Sequence, residues 1–376
     1  MLLCDCAGIT RWVTAGIAVP AFAASVLNFF SFGLFGGNMG YLVSAIFFFC
    51  WVYLWGSIAQ RLGKNFWLWG ILSFLFGGLP VLVLACLAST PLARRLWHRA
   101  PARAVQAALP VLLLAALTLA GAGLWWGNYT LSTEEYTFTS RRLPEGWDGA
   151  RIVVLSDLHG RRFGRDNSRL LEAVRKARPD IIALVGDLVD EWSGTEYLRP
   201  LLRGLTAMAP TYFVSGNHEW AAGAMSELTP LLKECGVTYL SNTFVTLERN
   251  GGAIAVAGID DPNGFADQKT PQEVARDVRD AIGDGFWLLL AHRNTHFETD
   301  YAALGADLTL SGHGHGGLWR LPFTDGLLGN GGALLPSYTN GFYTCRDADV
   351  FVTRGLGGMV RILNRPEVAV VILRRN

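Results

Sequence analysis

The chain has 376 residues, 51% of them hydrophobic and 17% charged, with a formal net charge of +1 and a mean hydropathy of +0.28. The length allows two domains, and the positive hydropathy argues against a wholly soluble protein. Residues 1–130 carry seven Lys/Arg and one acid, Asp5, whereas residues 131–376 carry 25 basic and 30 acidic residues, so a +6 front precedes a −5 back. An acidic back half exerts little electrostatic pull on nucleic acid, and no nucleic-acid partner is expected.

In chain order, the front holds four apolar stretches at about Val13–Phe35, Tyr41–Ala59, Phe66–Ala88 and Ala104–Trp126, none with Lys, Arg, Asp or Glu. Each is roughly the ~20 residues that cross a ~30 Å hydrocarbon core as a helix. Trp12, Trp67, Trp69, Trp125 and Trp126 fall near their ends, where amphipathic rings favour the interface. The pattern predicts a bundle of about four transmembrane helices over 1–130, with membrane lipids as partners, a linker over 131–150 and a catalytic domain over 151–376. Arg94, Arg95, Arg99 and Arg103 between the third and fourth stretches point that link to the cytoplasm, which places the back domain on the extracytoplasmic side. Arg61, Lys64, Arg141 and Arg142 pull the other way, in smaller groups. The cysteines form no disulfide framework: Cys4, Cys6, Cys50 and Cys86 are in the front, and only Cys235 and Cys345 are in the back.

From Arg151 onward, short apolar runs alternate with amphipathic ones. Strands are predicted at Ile152–Leu155, Ile181–Val185, Tyr212–Val214, Phe244–Leu247, Ala253–Ala257, Trp287–Ala291, Leu308–Leu310, Val350–Thr353 and Val368–Leu373. Helices are predicted at Asn167–Lys176, Tyr197–Leu205, Met225–Cys235 and Pro271–Ile282, the last with Thr270 as N-cap and Pro271 at its first position. Such alternation implies a layered α/β domain.

The strand ends carry the chemistry. The first strand is followed by Ser-Asp-Leu-His-Gly with Asp157 and His159, the second by Gly-Asp-Leu-Val-Asp with Asp187 and Asp190, and the third by Ser-Gly-Asn-His-Glu with Asn217, His218 and Glu219. His292 closes the Trp287–Ala291 run, and Ser-Gly-His-Gly-His-Gly-Gly with His313 and His315 follows Leu308–Leu310. Five strands thus deliver Asp, Asn or His at one sheet edge, where sites of open α/β sheets form. Two histidines one residue apart among glycines, where a ligand can approach closely, suggest a metal site. His98 and His296 receive no role.

This ordered set, D-x-H, G-D-x-x-D, G-N-H-E, H and G-H-x-H, resembles the calcineurin-like metallophosphoesterases. The Gly-Gly and Arg-Leu-Pro after the last histidine and the 352–368 tail resemble the YkuE-like bacterial branch. The resemblance implies a four-layer α/β/β/α sandwich and a two-metal centre. Asp157, His159 and His315 would hold one ion, Asn217, His292 and His313 the other, and Asp187 would bridge them. His218 would face the substrate phosphate, and Asp190 would be at most a supporting residue or a helix start. Two positions depart from the family pattern: His292 is followed by Arg293-Asn294 where a proline is frequent, and Gly314 stands between the last two histidines where a threonine is usual.

Carboxylate, imidazole and amide ligands suit Mn²⁺ or Zn²⁺, with Fe²⁺ as a further candidate. Two such ions ~3.5–4 Å apart neutralise phosphate oxygens and generate a bridging hydroxide nucleophile near neutral pH. The sequence therefore predicts a membrane-anchored metal-dependent phosphoric ester hydrolase, catalytic through Asp187 and His218, acting on a phosphodiester or pyrophosphate bond of a lipid-linked cell-envelope substrate. Relatives that hydrolyse UDP-diacylglucosamine make a pyrophosphate-linked lipid one specific candidate. Arg161 and Arg162, with Arg165 behind them, are candidates for binding a second phosphate or a lipid headgroup. The alternatives are a general phosphodiesterase or phosphatase for soluble substrates and a non-catalytic membrane receptor or scaffold.

Overall fold

The computed structural model describes residues 121–376 and residues 115, 118 and 119, apart from 192, 265–267, 321–324, 330 and 331. The chain divides into two compact units, Met1–Ala115 and Ala116–Asn376, and every element below belongs to the second. The first three predicted membrane spans and most of the fourth lie outside the described residues. Among the described residues no helix is long and apolar enough to cross a membrane.

Two six-stranded sheets form the unit. The first has the order β1 (Ser132–Ser140), β12 (Glu367–Arg375), β2 (Arg151–Leu155), β3 (Ile181–Val185), β4 (Thr211–Val214), β5 (Thr238–Tyr239). The second runs β10 (Gly341–Cys345), β11 (Ala348–Val352), β9 (Leu308–Gly312), β8 (Trp287–Arg293), β7 (Gly252–Ile259), β6 (Thr243–Arg249). Strands β2 to β5 are parallel, as are β7, β8, β9 and β11, while β12 runs antiparallel to β2.

The near-continuous apolar runs of β2, β3 and β8 suit strands buried on both faces. Successive side chains alternate between faces, and the packing follows that alternation. Ile152, Val154, Ala183, Val185, Leu288 and Leu290 meet between the two sheets. Val153, Leu155, Ile182 and Leu184 face the helices α1 (Ser168–Ala177), α2 (Arg199–Thr206) and α4 (Met225–Glu234), while the short α3 (Asn217–Ala221) follows β4. Ala255, Ala257, Leu289 and Ala291 face α5 (Pro271–Ile282). Helices therefore cover the outer face of each sheet, giving the layer order α/β/β/α. Helix α5 starts as its sequence predicts: Glu273 Oε2 accepts from the Thr270 amide at 2.7 Å and Thr270 Oγ1 accepts from the Glu273 amide at 3.3 Å.

One expectation needs correction. The segment 131–150 is no linker: β1 pairs with β12 from Ser132–Glu367 to Ser140–Arg375, and Leu143 and Trp147 are buried in the core between the sheets. The strand escapes a hydropathy reading because Ser-Thr-Glu-Glu-Tyr-Thr-Phe-Thr-Ser lies at an exposed sheet edge, and Phe138 is its one buried apolar side chain.

Candidate metal centre

The candidate ligands sit where strands end, and the backbone there is bent into turns. Asp157, His159, Asp187, His313 and His315 all have φ between 46° and 63°, the left-handed region that non-glycine residues seldom adopt. Such strain persists where surrounding contacts over-determine it, and the contacts are plain. The Asp157 and His159 amides donate to the Gly186 and Asp187 carbonyls at 3.0 and 3.1 Å, which zips the β2 and β3 turns together. The His313 amide donates to both carboxylate oxygens of Asp157 at 3.1 Å. Any side chain on Gly186 would strike the His292 ring, and any on Gly216 would strike the Asp187 carboxylate.

Three groups of donor atoms, each within 4.8 Å, result: Asp157 with His159 and His315, His159 with Asp187 and His218, and Asp187 with His292 and His313. Asp187 Oδ2 stands between the two outer groups, 3.6 Å from His159 Nε2 and 3.1 Å from His292 Nε2. Its other oxygen accepts from the His218 amide at 2.9 Å. Asn217, the first residue of α3, has a buried Oδ1 without a hydrogen-bond partner, as do His159 Nε2 and His315 Nδ1. An unsatisfied buried polar atom costs ~1–3 kcal/mol, and three of them among these residues fit cations that would be their common partner. His292 Nδ1 lies 2.8 Å from the Val185 carbonyl, so donation there leaves Nε2 as the ligating nitrogen.

The electrostatics of the ligand side chains are divided. Burial, with His315 beside it, lowers His159 to about 4. Burial and the neighbouring His292 lower His313 to about 4, and burial and Arg361 lower His315 to about 3. These three imidazoles are neutral and ready to ligate. Burial works against the imidazolium of His292 as well, but the Asp187 carboxylate overrides it and raises that group to about 10. Burial likewise opposes the Asp187 anion, and His292 and His159 nonetheless hold it well below the ordinary carboxylate range.

His218 is brought to the same place by α3. Its Nδ1 lies 3.3 Å from Asp190 Oδ1, and its ring meets that of His159 edge-on at 4.5 Å between centroids. Asp190 therefore orients His218 and is not a helix start. Arg161 and Arg162 are engaged with the protein: Arg161 donates to the Asn128 carbonyl at 2.6 Å, and Arg162 lies over the Tyr197 ring at 5.5 Å. Arg165 is exposed. His296 pairs with Asp300 at 2.8 Å, and His98 lies outside the described residues.

Three supporting residues have no assigned role in the sequence reading. Glu219 is fully buried and accepts four backbone N–H groups, from Asp187, Leu188, Val189 and Gly216, at 2.6–3.2 Å. It thereby holds the turn that carries Asp187, and burial and the Asp187 charge raise its carboxyl to about 7. The capping-box spacing, Glu three residues after Gly216, is the signal that could have found it. Arg361 is buried with Nε and Nη2 donating to the Gly357 carbonyl, and Asn364 donates to the His315 carbonyl at 2.7 Å. Both lie in the 352–368 tail, whose family resemblance is the signal that could have pointed to them. The two departures from the family pattern touch each other: a Cβ on Gly314 would lie 2.7 Å from Asn294 Nδ2. Arg293, in turn, grips Asp261 through Nε and Nη2 at 2.6 and 3.0 Å, which joins the ends of β7 and β8.

The calcineurin-like phosphoesterase family model matches residues 150–317. The uncharacterized metallophosphoesterase YkuE of Bacillus subtilis is 29% identical over 281 residues, covering 70% of this chain and 93% of that protein. A transmembrane protein with metallophosphoesterase domain from Danio rerio is 31% identical over 62% of this chain, which spans 55% of that longer protein. Among solved structures, the NAD nucleotidase of Haemophilus influenzae is 18% identical at a TM-score of 0.40, covering 55% of this chain and 45% of that one. The segment similar to the calcineurin-like phosphoesterases, residues 150–317, carries every ligand group, and together with the metallophosphoesterase relatives it marks the chain as a metal-dependent phosphoester hydrolase.

Proposed function

We propose that the chain is a membrane-anchored phosphoesterase with two divalent ions that cleaves a phosphodiester or pyrophosphate bond in a lipid-linked cell-envelope substrate. The observation that carries the two-ion part is Asp187 Oδ2, shared between the Asp157–His159–His315 group and the His292–His313 group. The first group would hold one ion and the second, with Asn217, the other; Asp187 has the charge and the two oxygens that a shared ligand needs. Mn²⁺ or Zn²⁺ suits this donor set, with Fe²⁺ as the further candidate.

When bound, such ions supply positive charge against the phosphate oxygens and acidify water, so that a nucleophile exists near neutral pH. The chain's own residues supply the rest. Glu219 fixes the Asp187 turn before substrate arrives. Asp190 holds one nitrogen of His218, and the other is left to hydrogen-bond the phosphate and to protonate the leaving oxygen. Hydrolysis of this kind needs no Ser or Cys nucleophile, so no covalent enzyme intermediate is invoked. Arg161 and Arg162 are proposed to act on the substrate at longer range, from the rim.

The membrane part rests on the four apolar stretches before Gly127 and on the name of the Danio rerio relative. An anchor confines the centre to the surface where an amphiphilic phosphoester resides, and the Arg94–Arg103 cluster favours the extracytoplasmic side. The full chain in detergent, loaded with Mn²⁺ or Zn²⁺, is to be assayed on an aryl phosphodiester, an aryl phosphomonoester and a lipid pyrophosphate. Turnover of the lipid alone is expected, with Asp187→Asn inactive and short of metal. His218→Gln is expected to keep its metal and lose about 10²–10⁴ in kcat. Equal turnover of all three substrates supports a general phosphatase, and no turnover with any metal supports a receptor or scaffold. A reporter fused after Asn376 checks the orientation.

A further inference from the structure

The loop between Thr353 and Arg365 is tied to the metal centre at both ends. The Gly357 amide donates to the Asp157 carbonyl, a Cβ on Gly358 would lie 2.6 Å from the His315 ring, and Asn364 donates to the His315 carbonyl. Between these ties the chain puts its apolar side chains outward: Met359 and Val360 are each 62% exposed and Leu363 is 51% exposed. Arg361, among them, turns inward and is fully buried. An apolar tip with an inward-facing cation inverts the ordinary surface pattern, and a patch of this kind marks a site of contact.

The helix at 121–129 lies against the same loop. Asn128 Oδ1 accepts from the Arg361 amide at 3.0 Å, and Asn128 Nδ2 donates to the Arg361 carbonyl at 2.8 Å. This helix continues the uncharged apolar stretch that begins near Ala104, and it exposes Trp125, Trp126 and Tyr129 beside the loop. Arginines collar its end: Arg161 and Arg169 donate to the Asn128 and Tyr129 carbonyls, and Arg365 lies over the Trp126 ring at 5.0 Å. An apolar tip, aromatic rings and a basic collar are the side chains that suit the acyl, interfacial and anionic headgroup levels of a bilayer.

We infer that Met359, Val360 and Leu363, with the aromatic end of helix 121–129, form a surface that inserts into an anionic phospholipid bilayer and sets the metal centre at headgroup level. The inference deepens the proposed function and rests on its reading of the chain as a membrane phosphoesterase. It names the loop that meets the lipid, and it implies that the ester is taken from the bilayer plane.

The test uses the full chain in vesicles of phosphatidylethanolamine and phosphatidylglycerol, with p-benzoylphenylalanine placed at Met359, Val360 or Leu363. Lys176, exposed near the end of α1 and away from the strand ends that carry the site, is the control position. Phospholipid adducts are expected at the three loop positions and not at 176. Adducts to residues 1–115 of the chain itself, or no adducts, overturn the inference. In a second measurement, M359D/V360D should hydrolyse a short-chain, water-soluble form of the lipid pyrophosphate within about two-fold of the parent, while its KM for the long-chain form carried in the same vesicles rises about ten-fold or more. M359L/V360I should behave as the parent, and equal effects on both substrates overturn the inference. Adduct formation needs no turnover, so a protein that labels lipid but hydrolyses nothing would sink the phosphoesterase reading and leave this surface standing.

Discussion

Asn294 and Gly314 show how a pair of residues can depart from a family pattern together. Asn294 donates to the Tyr338 carbonyl at 2.8 Å, and its amide occupies the space that a side chain at 314 would need. The residue between His313 and His315 is therefore small because the residue two positions after His292 is not. Residues in contact couple when mutated. Gly314→Thr alone is expected to destabilise the protein, and Gly314→Thr with Asn294→Ala to recover much of the loss. A coupling of about 1 kcal/mol or more is anticipated in a double-mutant cycle by denaturant unfolding. Strict additivity would show that the two sites relax independently.

At the scale of elements, the centre depends on turns and on one loop that the strands alone do not specify. Gly358 has a φ of +85°, and a Cβ there would lie 2.6 Å from the His315 ring. Gly358→Ala should therefore displace His315 and cost one equivalent of bound metal, read by metal analysis after dialysis. Retention of both equivalents would mean that the loop yields instead of the ring. The strands β2, β3, β7, β8 and β9 were legible because parallel strands buried on both faces are continuous apolar runs. The ligands were legible because each follows such a run within a residue or two. Strand β1 was hidden by its edge position, α3 by being five residues long, and the hairpin strand β10 by its mixed sequence Gly-Phe-Tyr-Thr-Cys. The burial of Arg361 could not be read at all, since it comes from the loop folding back over Asp157, some 200 positions earlier in the chain.

For the whole molecule, the ion-free protein should have a stability maximum set by its imidazoles. His159, His313 and His315 fall from 6.5 in the unfolded chain to about 4, 4 and 3, through burial above all. Between those values and 6.5 the unfolded chain binds more protons, so stability drops as the pH falls below 6.5. His292 has the opposite sign: burial opposes its charge, but Asp187 raises it to about 10, so its contribution is complete below 6.5 and is lost as the pH rises toward 10. Calorimetric unfolding in the presence of a chelator should place the optimum near pH 6.5, with the steeper fall on the acid side, where three groups act. A flat profile from pH 4 to 7 would show that these imidazoles are not buried as described.

The two long strands of the first sheet also bear on how the protein is made. Ser132 reaches Pro366 across 234 positions, and β12 lies between β1 and β2. The strand nearest the apolar front is thus synthesised before every other strand of its domain, yet its partner emerges after all the ligand turns. Until then its backbone edge stays open beside whatever other nascent chains are near. Recombinant production should accordingly favour slow translation and low temperature, because crowding during that interval invites strand exchange between neighbours.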